Sequence, residues 1–233
     1  MVDSGLISRW QEIKQRIRDI AQEAGRDPDQ VQLLAVSKGH FAGSIQSLAS
    51  QGQQDFGESY AQEALEKIDS LQLPGVRWHF IGRLQSNKAK YLAGRFTLIH
   101  SLDRPKLAQA LHERCQGLKK NQDILIQVNI ASDKTKAGVL PGELPEFAAG
   151  LEQYKRLRLQ GLMCMPPFYQ DPEQAREDFA ALRRLKLWLE ERLGQRLPHL
   201  SMGMSNDYQQ AIQEGATLIR IGTRIFGPRK YNT

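Results

Sequence analysis

Cysteine is scarce in this chain of 233 residues, with only Cys115 and Cys164 present. The two lie far apart and form no CxxC pair, so neither a disulfide framework nor a structural zinc site is expected. Such sparing use of cysteine is typical of a reducing compartment. Apolar residues make up 40% of the chain and charged residues 25%, which excludes a disordered protein and indicates an ordinary globular domain.

Long hydrophobic runs are also missing from the sequence. No stretch approaches the roughly 18 consecutive apolar residues that a membrane-spanning helix needs, so no membrane partner is expected. The opening segment is charged and amphipathic and has no signal-peptide core, which predicts a cytoplasmic protein. Because no Pro/Gly/Ser-rich linker, low-complexity tract or repeat is present, residues 1–233 are predicted to form a single domain.

Metal-binding histidine patterns and basic tracts are likewise absent. The five histidines form no HxH, HxxxH or HExxH arrangement, so no metal site is predicted, and His79 and His199 are expected to pack at strand ends. The 32 Lys and Arg residues are scattered and not interleaved with aromatics, which disfavours a nucleic-acid partner. The net charge of +6 suits the attraction of small anions.

Short apolar runs alternate with helical patterns along the chain. Such alternation, with nearly continuously apolar strands, is typical of a parallel sheet covered by helices. The runs lie at 32–37, 55–58, 78–82, 96–101, 124–130, 159–165, 199–205 and 217–222. Eight such runs predict an α/β fold, a single (β/α)8 TIM barrel.

An extra N-terminal helix is predicted before the first strand. Apolar residues recur at three- and four-residue intervals from Leu6 to Ala24, with Ser4 positioned to cap the start and Gly25 to close the end. Only a short tail follows the eighth predicted strand. We therefore expect the N-terminal helix to occupy the place of the closing barrel helix.

The end of the first strand carries a lysine. Active sites of these barrels lie at the C-terminal ends of the strands, where Lys38 follows the run LLAVS. Alternation places Lys38 on the face of Leu34 and Val36, toward the barrel mouth. Partial desolvation there would lower its pKa and supply a neutral amine for Schiff-base chemistry with an aldehyde or ketone. An ordinary loop lysine beyond the strand is the alternative interpretation.

A phosphate-binding corner is predicted from the seventh and eighth strands, which usually provide it in such barrels. Gly222 and Thr223 end the eighth strand, and backbone amides with the hydroxyls of Ser205 and Thr223 could cradle a phosphate. Arg220 shares the inward face of Gly222 and needs a carboxylate, a phosphate or a heteroaromatic nitrogen there. The alternatives are a helix N-cap at 205–207 with no ligand, and an outward Arg220 in a salt bridge.

These three features suit a phosphorylated aldehyde held as an imine, and pyridoxal phosphate has the required groups. Several segments resemble the signature motifs of the pyridoxal phosphate homeostasis proteins, the YggS/PROSC family, in order over nearly the whole chain. They are AVSK (35–38), FGESYAQE (56–63), WHFIGRLQSNK (78–88), GLMCM (161–165), LSMGMSND (200–207) and IRIGTRIFGPR (219–229). The resemblance implies a barrel like that of alanine racemase, the fold type III barrel, without the second β-domain.

The resemblance also implies the roles of individual residues toward pyridoxal 5′-phosphate. Lys38 would form the internal aldimine and Arg220 would face the pyridine nitrogen. An arginine at that nitrogen disfavours its protonation and weakens the ring as an electron sink. The residues expected to hold the phosphate are Ser205, Gly222 and Thr223, with Ser201 and Met204 nearby.

Two segments depart from the family pattern. The family has Asn where this chain has Ser59, so a cofactor contact of that side chain would be weaker, lost or supplied by water. The family also has Thr and soon Pro after the lysine, whereas Gly39, His40 and Phe41 follow it here. We expect a more mobile first loop and a less defined orientation of Lys38.

Further candidates have ordinary structural alternatives. Glu58 is either an acid/base group or the partner of a nearby cation, and the second role is favoured. Lys136 is expected to be solvated, with a second amine that accepts the cofactor as the alternative. Tyr60, Met163 and Met165 either line the pocket or pack in the core.

Three functions are consistent with these residues. The first is a non-catalytic protein that holds pyridoxal phosphate and acts in its intracellular homeostasis, by buffering it or delivering it to apoenzymes. The second is a racemase of weak activity. Racemisation needs acid/base groups on both faces of the substrate, and racemases that resemble this barrel take one of them from a second β-domain, which is expected to be absent here. The third is an aldolase-like barrel acting on a sugar phosphate. The resemblance favours the first, as a monomer or weak dimer.

Overall fold

The strands of the computed structural model, which describes residues 4–228, close into an eight-stranded parallel barrel in chain order. The strands are β1 (Gln32–Val36), β2 (Asp55–Glu58), β3 (Arg77–Phe80), β4 (Leu98–Leu102), β5 (Gln122–Val128), β6 (Leu157–Cys164), β7 (His199–Ser201) and β8 (Leu218–Ile221). The last strand pairs with the first in parallel, which closes the barrel. The predicted TIM barrel is confirmed.

Helices connect successive strands on the outside of the barrel. They are α1 (Leu6–Glu23), α2 (Ala42–Ser50), α3 (Ala61–Leu71), α4 (Ala89–Leu92), α5 (Pro105–Gly117), α6 (Leu144–Gly150), α7 (Ala175–Leu193), α8 (Tyr208–Gln213) and α9 (Thr223–Phe226). Along residues 4–228, none of them has the length and apolar character needed to cross a membrane.

The apolar core lies in two layers because the strands alternate their side chains between the two faces of the sheet. The larger layer lies between sheet and helices and includes Leu33, Phe56 and Ile219. A small cluster of four buried residues, Leu98, Leu125, Met163 and Leu218, fills part of the barrel interior. The rest of the interior therefore leaves room for polar side chains.

Helix α1 covers the side of the barrel next to α8 and α9. The Nε of Arg9 donates to the carbonyl oxygen of Ile225 over 2.9 Å, which ties α1 to the helix after β8. The expected substitution of α1 for a closing helix is confirmed. The predicted cap is wrong, because Gly5 rather than Ser4 occupies the N-cap, whereas Gly25 ends the helix with a positive φ of 67° as predicted.

The seventh strand is shorter than its apolar run of 199–205. It ends at Ser201, and Gly203 then takes a φ of 88°, a left-handed conformation that turns the chain out of the sheet. A Cβ on residue 203 would lie 2.5 Å from the Cβ of Ala211. Residues 202–207 therefore form a tightly packed loop between β7 and α8, at the barrel mouth.

Candidate functional site

A cavity of about 640 Å³ opens at the C-terminal ends of the strands, the end predicted to carry the site. Its volume falls within the range of small-molecule binding sites. Six of the seven predicted site residues line it, namely Lys38, Met204, Ser205, Arg220, Gly222 and Thr223. The seventh, Ser201, is fully buried below them and contacts Arg220.

Lys38 lies two residues beyond the end of β1, is half-buried and lines the cavity together with Val36. The face predicted from alternation along β1 is therefore confirmed. Gly39 follows with a φ of 72°, which only glycine adopts readily, and its amide donates to Glu63 Oε1 over 2.6 Å. This turn fixes the backbone next to Lys38.

A buried ionic cluster supports the Lys38 loop from behind. The Nζ of Lys67 donates to the carbonyl oxygen of Ser37 (2.8 Å), to Glu58 Oε1 (2.8 Å) and to Glu63 Oε1 (2.6 Å). Ser37 Oγ also donates to Glu58 Oε1 over 2.7 Å. Burial raises the pKa of Glu58 although Lys67 opposes that shift. The interpretation of Glu58 as the partner of a cation is confirmed.

The segment that departs from the family pattern has contacts of its own. The imidazole of His40 stacks on the ring of Phe226 in α9 with 4.9 Å between centroids. The backbone amide of His40 donates to the carbonyl oxygen of Ser37. These contacts join the Lys38 loop to the segment after β8. Ser59, the other departure, lines a neighbouring groove with Tyr60 and Arg83.

The predicted phosphate corner brings the β7–α8 and β8–α9 segments together. Ser205 Oγ and Thr223 Oγ1 lie 3.3 Å apart at the cavity wall. The amide of Met204 donates to Asp207 Oδ1 over 2.6 Å, which shapes the loop. Asp207 is the N-cap residue of α8, but its side chain makes no capping hydrogen bond to that helix. The N-cap expected within 205–207 is therefore present at Asp207, but without a side-chain capping hydrogen bond.

Gly222 allows this corner to pack closely against β1. A Cβ at residue 222 would lie 3.3 Å from the carbonyl oxygen of Val36, tighter than most side-chain contacts. Gly222 is also the N-cap of α9, whose first amides have no partner inside the helix. Backbone amides and two hydroxyls therefore lie beside the lysine loop, a set of donors suited to an anion.

Arg220 points into the barrel and is 4% exposed. Its Nη1 donates to Ser201 Oγ over 2.7 Å and its Nη2 to the carbonyl oxygen of Cys164 over 2.8 Å. Burial lowers the pKa of the guanidinium, with the nearby Cys164 and Asp207 opposing that shift. The alternative of an outward arginine in a surface salt bridge is wrong.

Lys136 belongs to the cavity wall, so the expectation of a solvated loop residue is wrong. It is half-buried, and its Nζ donates to the carbonyl oxygens of Met165 (3.1 Å) and Pro166. Met165 lines the cavity as well, whereas Met163 is fully buried in the barrel interior.

The cavity is rich in positive charge. Its cationic lining residues are Lys38, Arg83, Lys136 and Arg220, and Asp207 is the one acidic residue among the lining residues of the described chain. Burial raises the pKa of Asp207, although the hydrogen bond from the Met204 amide opposes that shift. The cavity therefore suits an anionic small molecule that also presents a group reactive toward amines.

The sequence did not reveal two parts of this site. Arg83 follows the third strand in WHFIGRLQSNK and reaches the cavity rim, a position that a search of strand ends could have found. His79 and His100, expected only to pack or left without a role, lie within the barrel and connect to Ser201. Among residues 4–228, no group of three or more His, Cys, Asp or Glu is placed to hold a metal ion.

Comparison with known sequences places the chain among well-defined relatives. The sequence profile of the family described as "Alanine racemase, N-terminal domain" matches residues 9–230. A pyridoxal phosphate homeostasis protein of Aquifex aeolicus is 42% identical over 96% of this chain and 98% of its own length. The protein of the same name from Pseudomonas aeruginosa is 45% identical over 93% of this chain and 92% of its own.

Solved structures agree with these sequence matches. PipY of Synechococcus elongatus with pyridoxal phosphate (PLP) bound has a TM-score of 0.81 and 37% identity, over 91% of this chain and 100% of its own. Alanine racemase of Corynebacterium glutamicum has a TM-score of 0.72 at 17% identity. That match covers 95% of this chain but 62% of the racemase, and it shows the shared barrel fold alone.

Proposed function

We propose, since this chain belongs to the alanine racemase N-terminal domain family and within it to the pyridoxal phosphate homeostasis proteins, that it binds pyridoxal 5′-phosphate and acts in homeostasis of this cofactor. The observation that carries the proposal is the convergence of Lys38, the Ser205–Thr223 corner and Arg220 on one cavity. An amine, an anion cradle and a buried cation are the groups that this cofactor requires.

The cavity passes a simple test of fit. Its excess of cationic residues balances a phosphate dianion, and its volume exceeds what one small heteroaromatic molecule needs. The paired hydroxyls and the amides beside Gly222 provide donors for phosphate oxygens without a lysine at that corner. The residues present therefore fit the cofactor.

Each residue has a separate task in this proposal. Ser205, Gly222 and Thr223 bind the phosphate, and Met204 closes the same wall. Ser201 acts indirectly through Arg220, which donates a hydrogen bond to the ring nitrogen. The cofactor supplies an aldehyde with which a neutral primary amine condenses, with loss of one water. Lys38 provides that amine and thereby holds the cofactor covalently.

We assign a non-catalytic role because two requirements of racemisation are not met by the described residues. An arginine at the ring nitrogen keeps that nitrogen unprotonated and restrains carbanion formation. Racemisation also needs acid/base groups on two opposite faces of a substrate. Lys38 accounts for one of them, whereas Tyr169, the one tyrosine among the described lining residues, donates its hydroxyl proton to Asp178 Oδ2 over 2.8 Å.

The homeostatic role follows from holding a reactive aldehyde reversibly. A phosphate corner at the barrel mouth retains the cofactor while exchange at Lys38 releases it to an acceptor amine. PLP-dependent apoenzymes, which carry such amines, are the proposed recipients. Lys38 is half-buried and Thr223 is exposed, so the site is accessible for that exchange.

Equilibrium binding tests this proposal directly. Titration of the protein with pyridoxal phosphate, followed by absorbance, is expected to show saturable binding at one site. Pyridoxal without the phosphate should bind at least about tenfold more weakly, because it lacks the charge-assisted hydrogen bonds of the corner. Equal affinities for the two compounds, or no uptake of either, would contradict the proposal.

A further inference from the structure

A continuous chain of hydrogen-bonded side chains crosses the barrel interior and ends at the cavity. Asp55 Oδ1 lies 3.0 Å from His79 Nε2, and His79 Nδ1 lies 3.0 Å from His100 Nε2. His100 Nδ1 lies 2.9 Å from Ser201 Oγ, which accepts from Arg220 over 2.7 Å. All five residues are buried, and they come from five strands, β2, β3, β4, β7 and β8.

The two ends of this chain have opposite hydrogen-bonding character. A guanidinium can only donate and an ionised carboxylate can only accept. Burial raises the pKa of Asp55, but the hydrogen bonds from His79 and Arg77 and the positive charge of Arg77 outweigh it and lower the pKa to about 2. Asp55 is therefore ionised at neutral pH. It also accepts two hydrogen bonds of 2.6 Å from Arg77.

These fixed ends determine the direction of every bond between them. Because Ser201 accepts from Arg220, its own hydroxyl proton is donated to His100 Nδ1. His100 then carries its proton on Nε2 and donates it to His79 Nδ1, and His79 donates from Nε2 to Asp55. Both imidazoles are thus neutral and both are the Nε2–H tautomer.

The opposite direction would leave a buried proton without an acceptor. If His100 donated from Nδ1, Ser201 Oγ would accept two hydrogen bonds and its hydroxyl proton would need another partner. Across residues 4–228, the hydrogen-bond partners of Ser201 Oγ are His100 Nδ1 and Arg220 Nη1. An unsatisfied buried donor is strongly unfavourable, so the direction toward Asp55 is selected.

In the described chain, Arg220 forms no ion pair with a carboxylate. It donates hydrogen bonds to Ser201 Oγ and to the carbonyl oxygen of Cys164 instead. A buried cation without compensation is costly. The hydrogen-bonded chain supplies that compensation by polarising each group toward the negative charge of Asp55. Ser201 of this chain holds Nη1 of the guanidinium and the carbonyl oxygen of Cys164 holds Nη2, so that its orientation toward the cavity is defined.

We propose that Asp55, His79, His100 and Ser201 form a relay of positioning residues that orients Arg220 as a hydrogen-bond donor to the ring nitrogen of the bound cofactor. This inference rests on the proposed function. It assigns a role to His79 of the WHFIGRLQSNK motif. His79 lies in the barrel interior and joins the carboxylate of Asp55 to the imidazole of His100. The relay, rather than Arg220 alone, keeps that nitrogen unprotonated.

The first test uses the protein without cofactor and requires no variant. Nitrogen-15 NMR of the histidine side chains distinguishes the two neutral tautomers and the imidazolium. At pH 7 we expect His79 and His100 both to be neutral with the proton on Nε2. An Nδ1–H tautomer or an imidazolium at either residue would overturn the relay.

The second test compares two matched serine variants after loading with pyridoxal phosphate. Ser201→Ala removes the link to Arg220, whereas Ser101→Ala removes a buried hydroxyl that has no hydrogen-bond partner in the described structure. Ser201→Ala should weaken cofactor affinity by about tenfold or more and make the cofactor absorption band depend on pH. Ser101→Ala should change neither, and identical spectra for the two variants would overturn the relay.

A third comparison tests the far end of the chain. Asp55→Asn removes its charge, and Asp123→Asn removes a similar pair with Arg158 at the same end of the barrel, outside the relay. The relay predicts a changed His79 nitrogen shift and cofactor spectrum for Asp55→Asn only. Failure of the wild-type protein to take up the cofactor would overturn the proposed function, whereas uptake with unaltered spectra in Ser201→Ala and Asp55→Asn would overturn the relay alone.

Discussion

Single side chains distinguish the two lysines of the cavity. The ammonium of Lys136 donates to two backbone carbonyl oxygens, and both hydrogen bonds must break before its nitrogen can attack an aldehyde. Lys38 instead lies on a turn that Gly39 and Glu63 hold in place. Both lysines line one cavity, and this fixed turn gives Lys38 a defined backbone position within it.

Replacing Lys38 should separate covalent attachment from affinity. Lys38→Ala is expected to lose the covalent link but to retain weaker binding of the cofactor, because the Ser205–Thr223 corner is unchanged. Isothermal titration and absorbance would measure the two effects, with the exposed Lys134→Ala as the control. Complete loss of binding in both Lys38→Ala and Thr223→Ala would contradict this division of tasks.

The carboxylate of Asp55 should make a pH-dependent contribution to stability. Its pKa is lowered from 3.8 to about 2, so its contribution is present above pH 3.8 and is lost as pH falls toward 2. Urea unfolding of wild type and Asp55→Asn should therefore give a difference in unfolding free energy that is about 2 kcal/mol larger at pH 6 than at pH 2. A difference independent of pH would show that the carboxylate is not stabilised in this way.

His100 of the relay also makes the protein less stable as pH falls, but in a higher pH range than Asp55. Burial, together with the positive charge of Arg220, places the pKa of His100 well below its usual 6.5. A depressed histidine pKa contributes stability above the pKa of the unfolded chain, and this contribution decreases as pH falls below about 6.5. His100→Gln should reduce the loss of melting temperature between pH 7 and 5, and an unchanged loss would contradict a neutral buried His100.

At the scale of elements, the phosphate corner depends on how the loop after β7 packs. Gly203 combines a φ of 88° with a Cβ position only 2.5 Å from Ala211, so Gly203→Ala requires both strain and displacement of α8. We expect a loss of about 2 kcal/mol in unfolding free energy together with weaker phosphate binding. Gly117→Ala in α5, where a Cβ meets nothing within 4 Å, is the control and should not destabilise. Equal stability of the two variants would contradict this account of the loop.

The elements also show what sequence patterns can predict. The apolar run 32–37 predicted β1, and the two-residue repeat of a strand predicted the inward face of Lys38, because that repeat holds whatever surrounds the strand. The run 199–205 predicted a strand that was too long, since the turn at Gly203 depends on contact with α8. The carbonyl partners of Lys136 lie 29 and 30 residues further along the chain, and no local pattern indicates them.

The relay could not be predicted for the same reason. His100 and Ser201 are 101 residues apart in sequence, and only closure of the barrel brings them within hydrogen-bond distance. Local patterns assigned His79 to packing at a strand end, which describes its position but not its partners. Arg220 was different, because its period-two relation to Gly222 alone placed it on the inward face.

At the scale of the whole molecule, the protein carries excess positive charge, and cationic side chains also outnumber acidic ones in the cavity at the barrel mouth. The net charge is +6, and four cations line the cavity against one carboxylate.

The barrel corresponds to 62% of the Corynebacterium glutamicum alanine racemase chain. Loaded protein is expected to show no racemisation of alanine above the rate of free cofactor, measured by chiral chromatography, and sustained turnover would favour the racemase alternative.

The central claim is that one cavity holds pyridoxal phosphate through Lys38. The most direct measurement is borohydride reduction of the loaded protein, which fixes an amine–aldehyde adduct, followed by mass mapping of its peptides. The structure predicts a visible absorption band that reduction removes, with the added mass on the peptide that contains Lys38. Added mass only at Lys136, or no adduct at saturating cofactor, would contradict the account.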